Sequence, residues 1–106
     1  MSSLGEEAVH AGAVIVKFYS DVRGVVNTDS TMMHIEGAET VDALIARLCH
    51  RFPGSFSKII YEPNTKRVNS AVSILLNRVN IAFLDGVNTR LKGRDEVIFF
   101  AAVSGG

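Results

Sequence analysis

The chain has 106 residues, with eleven Lys or Arg against eleven Asp or Glu, and 47% of it is apolar. That length suits one domain around a single core, and the apolar share excludes disorder over most of the chain. No apolar run approaches the ~20 residues of a membrane helix, and the one cysteine, Cys49, excludes an internal disulfide and fits a reducing compartment. The first ten residues are polar, with Glu6 and Glu7, and lack the basic-then-apolar layout of a secretory signal, so a cytoplasmic location is expected.

Residues 1–11 carry small and acidic side chains without periodicity and read as a flexible tail. Ala13 to Tyr19 is rich in β-branched and aromatic residues and predicts a strand. Asp21, Gly24, Asn27 and Asp29 suit a turn or hairpin loop over 20–29, and Ser30 to Ile35 predicts a second strand. From Thr40 to Phe52, Val41, Leu44, Ile45, Leu48 and Phe52 recur at helical spacing. Thr40 is placed to cap the free amides, Asp42 and the pair His50–Arg51 sit at the ends of the helix dipole that favour their charges, and Pro53–Gly54 stops the helix. Ile59–Ile60–Tyr61 reads as a short strand or an ordered turn, and 62–66 as a loop. Val72 to Asn77 predicts a third strand and 81–91 a meandering connection. Gly93–Arg94–Asp95 turns the chain into a last strand from Glu96 to about Ala102.

A single amphipathic helix among strands must cover one face of a small mixed sheet, because its stripe can be buried nowhere else. The fold class is α+β. A β-grasp arrangement satisfies the order, as does a two-layer α/β sandwich. Strand alternation then points Val97, Phe99, Val72, Ile74 and Leu76 toward the helix and Leu75, Ile98 and Phe100 away from it. Those last three are expected to share the uncovered face as a partner surface, unless residues 54–71 fold over it as a second layer of core. Charge is segregated as well. Residues 1–42 hold two basic and seven acidic side chains, and 43–94 hold nine basic and two acidic, which suits either an acidic protein surface, better than nucleic acid, or simply a solvated surface with its signs unevenly spread.

The sequence closes on Val103–Ser104–Gly105–Gly106, a thin stalk that carries an α-carboxylate directly after a core strand. The residues Ile74-Leu75-Leu76-Asn77, Ile81, Leu84-Asp85-Gly86-Val87-Asn88-Thr89-Arg90-Leu91 and Asp95-Glu96-Val97 precede it. In order and spacing they resemble the strand-Asn, "L-x-G-x-x-T-x-L", "G-D-E-V" and final Gly-Gly of the MoaD/ThiS family of ubiquitin-like sulfur carriers. The first strand and the helix ending Arg51–Phe52–Pro53 also match, so the resemblance spans about 13–106. Three positions depart from it: Arg78 stands where the family has Gly, Arg94 precedes Asp95 with Gly93 displaced by one, and Ala101 replaces a proline before the tail.

The resemblance implies a ubiquitin-like β-grasp domain over 12–102, with a mixed sheet packed on one main helix and a flexible diglycine tail at 103–106. It implies a carrier, not an enzyme on its own, with Gly106 as the working group and Gly105 and Ser104 as its tail. A partner adenylyltransferase of the ubiquitin-activating type would use ATP and magnesium to activate Gly106. A sulfur nucleophile would then leave a C-terminal thiocarboxylate for the molybdopterin synthase large subunit or another sulfur-acceptor enzyme. No permanently bound cofactor, metal, membrane or nucleic acid is expected. A ubiquitin-like modifier joined to lysines, a carrier for cysteine, thiazole or tRNA thiolation, and an interaction domain with an idle tail remain open. Cys49 reads as a packed small hydrophobe, and Asp95–Glu96 as a turn acid and a strand-edge residue.

Overall fold

The structure is a computed structural model and describes residues 12–101. The tails expected at 1–11 and 103–106 lie outside the described residues, so Ser104, Gly105 and Gly106 do too.

Strand β1 spans Ala13–Tyr19 and runs straight into helix α1, Ser20–Val26. Strand β2, Ser30–His34, returns antiparallel to β1, pairing Val14 with Met33 and Val16 with Thr31. Helix α2 spans Val41–Arg51, with the Thr40 hydroxyl accepting a hydrogen bond from the Ala43 amide at 3.2 Å as its cap. A short helix α3 (Phe56–Ile60) leads to β3 (Val72–Leu76) and the two-residue β4 (Val79–Asn80). Two 3-10 turns, Ile81–Phe83 and Gly86–Asn88, carry the chain to β5, Glu96–Ala101. The sheet order is β2-β1-β5-β3-β4, with β1 and β5 parallel at the centre and every other pair antiparallel. This mixed sheet with helices on one face is the β-grasp arrangement. Among the described residues no helix is long and apolar enough to cross a membrane.

Alternation along the central strands sends Val14, Val16, Phe18, Val97 and Phe99 inward, where all are fully buried with Val41, Leu44, Ile45 and Leu48 of α2. Four rings form the centre of that layer. Phe18 stacks on Phe99 at 6.2 Å, and Phe56 meets the Phe99 ring edge-on at 5.3 Å. Phe52 meets Phe18 edge-on at 5.6 Å, a geometry that the ring quadrupoles favour.

Two helices stand where the sequence predicts none. Segment 20–29 is not a hairpin loop: α1 forms there despite Gly24 and three valines, because Val22 and Val26, one turn apart, both bury against the sheet. Asn27 closes α1 in the left-handed region, its amide donating to the Arg23 carbonyl at 2.7 Å. Likewise 59–61 belongs to neither a strand nor a free turn. Phe56 and Ile60, again four apart and both fully buried, fold as α3, and only Tyr61 keeps a bridge, to Val68. Segment 54–71 therefore joins the inner core beside α2 and does not cover the opposite face of the sheet.

The two arginine departures both occupy the left-handed region. Asn77 (φ 50°) and Arg78 (φ 74°) form the two-residue loop between β3 and β4, where Leu76 pairs with Val79. Positive φ at both loop positions is the hairpin geometry that favours Asn-Gly. Arg94 (φ 73°) turns the chain into β5, its amide donating to the Ala13 carbonyl at 2.7 Å. A side chain in this region costs roughly 1–2 kcal/mol, and glycine would lose about 0.4–1 kcal/mol of that gain to unfolded-state entropy. Arg94→Gly keeps the backbone hydrogen bond and is expected to stabilise the protein by about 0.5–1 kcal/mol. Urea denaturation reads it, and an unchanged or lower midpoint would show that the turn stores no strain.

Candidate functional site

Pairing fixes what the uncovered face displays. Register sets Ile15 beside Glu96, Lys17 beside Ile98, and Tyr19 beside Phe100 across the parallel pair. From β3, Leu75 lies against Ile98 and Ser73 against Phe100. Leu75, Ile98 and Phe100 therefore do share one face, as alternation predicts. They are not exposed together, however. Ile98 is buried, because it sits on the central strand with Lys17 on one side and Leu75 on the other, and Leu75 and Phe100 are half-buried.

The exposed aromatic of this face is Tyr19, which alternation places opposite to Phe18 and which the sequence reading passes over. Its signal was available: it continues the outward series Ile15, Lys17 at the end of β1. Tyr19 and Phe100 flank the point where β5 ends. There Ser20 bridges to Ala101, with Ser20 at φ 56° as the chain turns from β1 into α1. Ala101, the last described residue, therefore ends β5 at the most aromatic part of the face.

The other end of the face is charged. Glu96 accepts from Lys17 Nζ at 2.7 Å and from Arg78 Nε at 3.3 Å, so one carboxylate on β5 ties β1 to the β3–β4 hairpin. The hydrogen bond from Lys17 is the main reason that the Glu96 carboxyl stays below the usual carboxylate range. The positive charges of Lys17 and Arg78 add to it, and partial burial opposes it.

Asp95 does different work. Its Oδ1 accepts from Asn77 Nδ2 at 2.9 Å and its Oδ2 from the Lys92 amide at 2.8 Å, while Asn77 Oδ1 accepts from the Glu96 amide at 2.9 Å. Asp95 is buried in that lock, and Glu96 is engaged with two cations. The adjacent carboxyls are thus a turn acid and a strand residue and do not act as an acid–base pair. Within the 81–91 connection the Thr89 hydroxyl accepts from the Asp85 amide at 3.0 Å, and the Thr89 carbonyl accepts from the Val41 amide at 3.0 Å. That stretch anchors the start of α2.

Cys49 packs at the edge of the core, on the helical side, and hydrogen-bonds with Tyr61. Burial pushes its thiol up, against smaller opposing effects from that hydrogen bond and from the charge of Lys66, so it stays protonated at neutral pH and is a poor nucleophile. No group of three or more metal-ligating side chains gathers among the described residues.

Because the Glu96 carboxyl is depressed in the folded state, its stabilisation is present above the ordinary glutamate value near about 4.3 and is lost as pH falls through the lower folded value. Glu96→Gln is expected to cost about 1 kcal/mol at pH 7. The gap to the parent should close below about pH 4 in chemical denaturation, and a gap independent of pH would remove the ionic role.

The ThiS family model matches residues 16–106. No curated protein matches the chain in sequence. Among solved structures it is similar to small archaeal modifier protein 1 from Methanosarcina acetivorans, with 28% identity, 92% of this chain and 99% of that one covered, and a TM-score of 0.74. It shares its fold with a chain of the BexX/CysO complex of Amycolatopsis orientalis, at 21% identity, 88% and 99% coverage and TM-score 0.68. It also shares it with a putative molybdopterin converting factor subunit 1 from Pyrococcus furiosus, at 21% identity, 86% and 98% coverage and TM-score 0.64. The ubiquitin-like β-grasp fold is thus seen both in the topology and in these neighbours. With nearly the whole described domain and the diglycine tail inside the matched range, this chain belongs to the ThiS family, whose sulfur carriers are non-catalytic.

Proposed function

We propose that this protein is a sulfur carrier whose Gly106 carboxylate is adenylated and then converted to a thiocarboxylate. The observation that carries the reading is the family match, which runs through the whole domain and takes in Val103–Ser104–Gly105–Gly106. A free carboxylate resists nucleophiles because oxide is a poor leaving group. An activating enzyme of the ubiquitin-activating type removes that obstacle: the Gly106 carboxylate attacks the α-phosphorus of ATP, and pyrophosphate leaves. A persulfide sulfur from a donor then attacks the acyl carbon and AMP leaves. Cleavage of the resulting S–S bond by a second thiol frees the thiocarboxylate.

The chain itself contributes reach and placement. Five extended residues from Ala102 to Gly106 span up to about 17 Å. Tyr19, Leu75, Ile98 and Phe100 form the apolar face beside the tail that the activating and accepting enzymes grip, with Ile98 as its buried floor. The sulfur acceptor in this reading is a molybdopterin synthase large subunit. No resident cofactor is needed, and ATP with magnesium belongs to the activating partner. The protein acts in the cytoplasm.

A second reading, favoured by the 28% identity to small archaeal modifier protein 1, is conjugation of Gly106 to lysines of other proteins, since the same adenylate serves an amine as well as a sulfur nucleophile.

Intact-mass measurement after incubation with the activating enzyme, ATP and a sulfur donor is expected to show an oxygen-to-sulfur shift, absent when Gly106 is deleted. Isopeptide-linked Gly106 without that shift would instead support the modifier. Phe100→Ser is expected to weaken productive docking by about 2 kcal/mol, roughly 30-fold. It should appear in the half-saturating concentration for loading, and equal loading by the variant would remove this face from the interface.

A further inference from the structure

We infer that the open edge of β2 is a docking site for an extended acidic segment of a partner protein, which adds to the sheet as a sixth strand. This surface is independent of the tail chemistry: β2 is the outer strand of the sheet, with β1 between it and β5.

The hydrogen-bond phase of the β1–β2 ladder sets which groups are offered. The Ile35 amide donates to Gly12 and the Phe18 amide to the Asp29 carbonyl, both at 2.9 Å, so residues 29, 31, 33 and 35 turn their backbone groups toward β1. Ser30, Met32 and His34 turn theirs outward. The His34 carbonyl is taken by Arg47 Nη1, and no described residue bonds the backbone of Ser30 or Met32. Edge strands are ordinarily blunted by lysine, proline, a bulge or a covering loop. Ser-Thr-Met-Met-His has neither residue, and its register with β1 is unbroken over five pairs.

Helix α2 runs alongside this edge in the opposite direction: Arg47 reaches His34, and Arg51, one turn on, reaches the Thr31 hydroxyl at 3.3 Å. Between strand and helix lies a groove of about 480 Å³ lined by Met32, Met33, His34, Arg47, His50 and Arg51. No carboxylate lines it. Glu39, which pairs with the lining Arg47 at 2.9 Å, is buried, whereas Arg51 has no carboxylate partner among the described residues.

This edge therefore offers unused backbone donors and acceptors and a cationic wall on the α2 side, with the half-buried Met32 thioether, paired beside Ile15, on the other face of the same strand. An extended peptide satisfies all three, with amides on the Ser30 and Met32 edge, an apolar side chain against Met32 on one face and carboxylates near Arg51 on the other. A nucleic-acid strand has no ladder to match that edge, and one uncommitted arginine neutralises little of its backbone.

The test is an amide NMR titration of the full chain with a decapeptide of Val-Thr-Val-Thr-Val followed by five Glu. Shifts are expected at Ser30, Met32 and residues 47–51, with slowed exchange of the Met32 amide. Affinity should fall at least tenfold when Lys replaces Glu in the peptide, when alternate peptide amides are N-methylated, and in Arg51→Gln and Arg51→Glu, whose remaining spectra report an intact fold. Equal binding of the methylated peptide would overturn strand addition, and shifts centred on Phe100 would overturn the location. Binding of decauridylate but not the peptide at the same amides would overturn the class of partner. If deleting residues 1–11 alone moves those amides and strengthens peptide binding, the occupant is the chain's own acidic segment, and the assignment to a partner is overturned.

Discussion

The parallel pairing of β1 with β5 is the constraint on which the rest of the molecule depends. Parallel neighbours cannot be joined by a tight turn, so everything between Tyr19 and Glu96 acts as one crossover that returns the chain to the same end of the sheet. Its strands join the sheet, and its helices α1, α2 and α3 gather on the Phe18–Phe99 side, so the other face keeps no helical cover. The same pairing makes Ala101 finish beside Ser20, so the C-terminal residues are launched from the best-supported strand in the sheet. In the proposed carrier role a rigid base is an advantage, since only the tail's own residues then have to be ordered on docking.

Several polar locks protect that launch point. Asp95 and Asn77 join the start of β5 to the end of β3, and Glu96 joins Lys17 to Arg78 across three strands. These contacts sit at the end of β5 opposite to the tail. The charged end of the face fixes register, and the aromatic end holds the exposed Tyr19 beside Phe100. Register matters here because a one-residue slip of β5 would turn Phe99 out and Phe100 in, destroying core and surface together.

How far the sequence reading reaches differs from element to element. Helix α2 was legible because five apolar residues at helical spacing, a threonine cap and a Pro-Gly stop all agree. Strands β1, β3 and β5 were legible from β-branched and aromatic runs, and their inward and outward residues followed from alternation alone. Helix α1 was not, because Gly24, Asp21 and the valines are poor local helix formers, and burial of Val22 and Val26 overrides them. In α3 the Phe56/Ile60 spacing was a usable signal, but the Ile-Ile-Tyr run beside it carries the opposite, strand-like preference. Tyr19 was missed because its neighbours mark it as core-strand sequence, and only the end of β5 beside it leaves it exposed next to Phe100.

By itself the sequence determined the α+β class, the main helix, which residues of each strand face the core, and the family to which the tail belongs. These are set by local periodicity and by motif spacing, which need no knowledge of neighbours. Tertiary structure decided the rest. It showed that Ile98 is closed in by Lys17 and Leu75, that 54–71 joins the inner layer, and that Arg78 and Arg94 are held at positive φ. It also showed that β2 ends the sheet, with Arg47 and Arg51 of α2 reaching it. Each of these depends on which distant segments are brought side by side, and lateral neighbours in a sheet are fixed by the fold as a whole, beyond what any window of sequence contains.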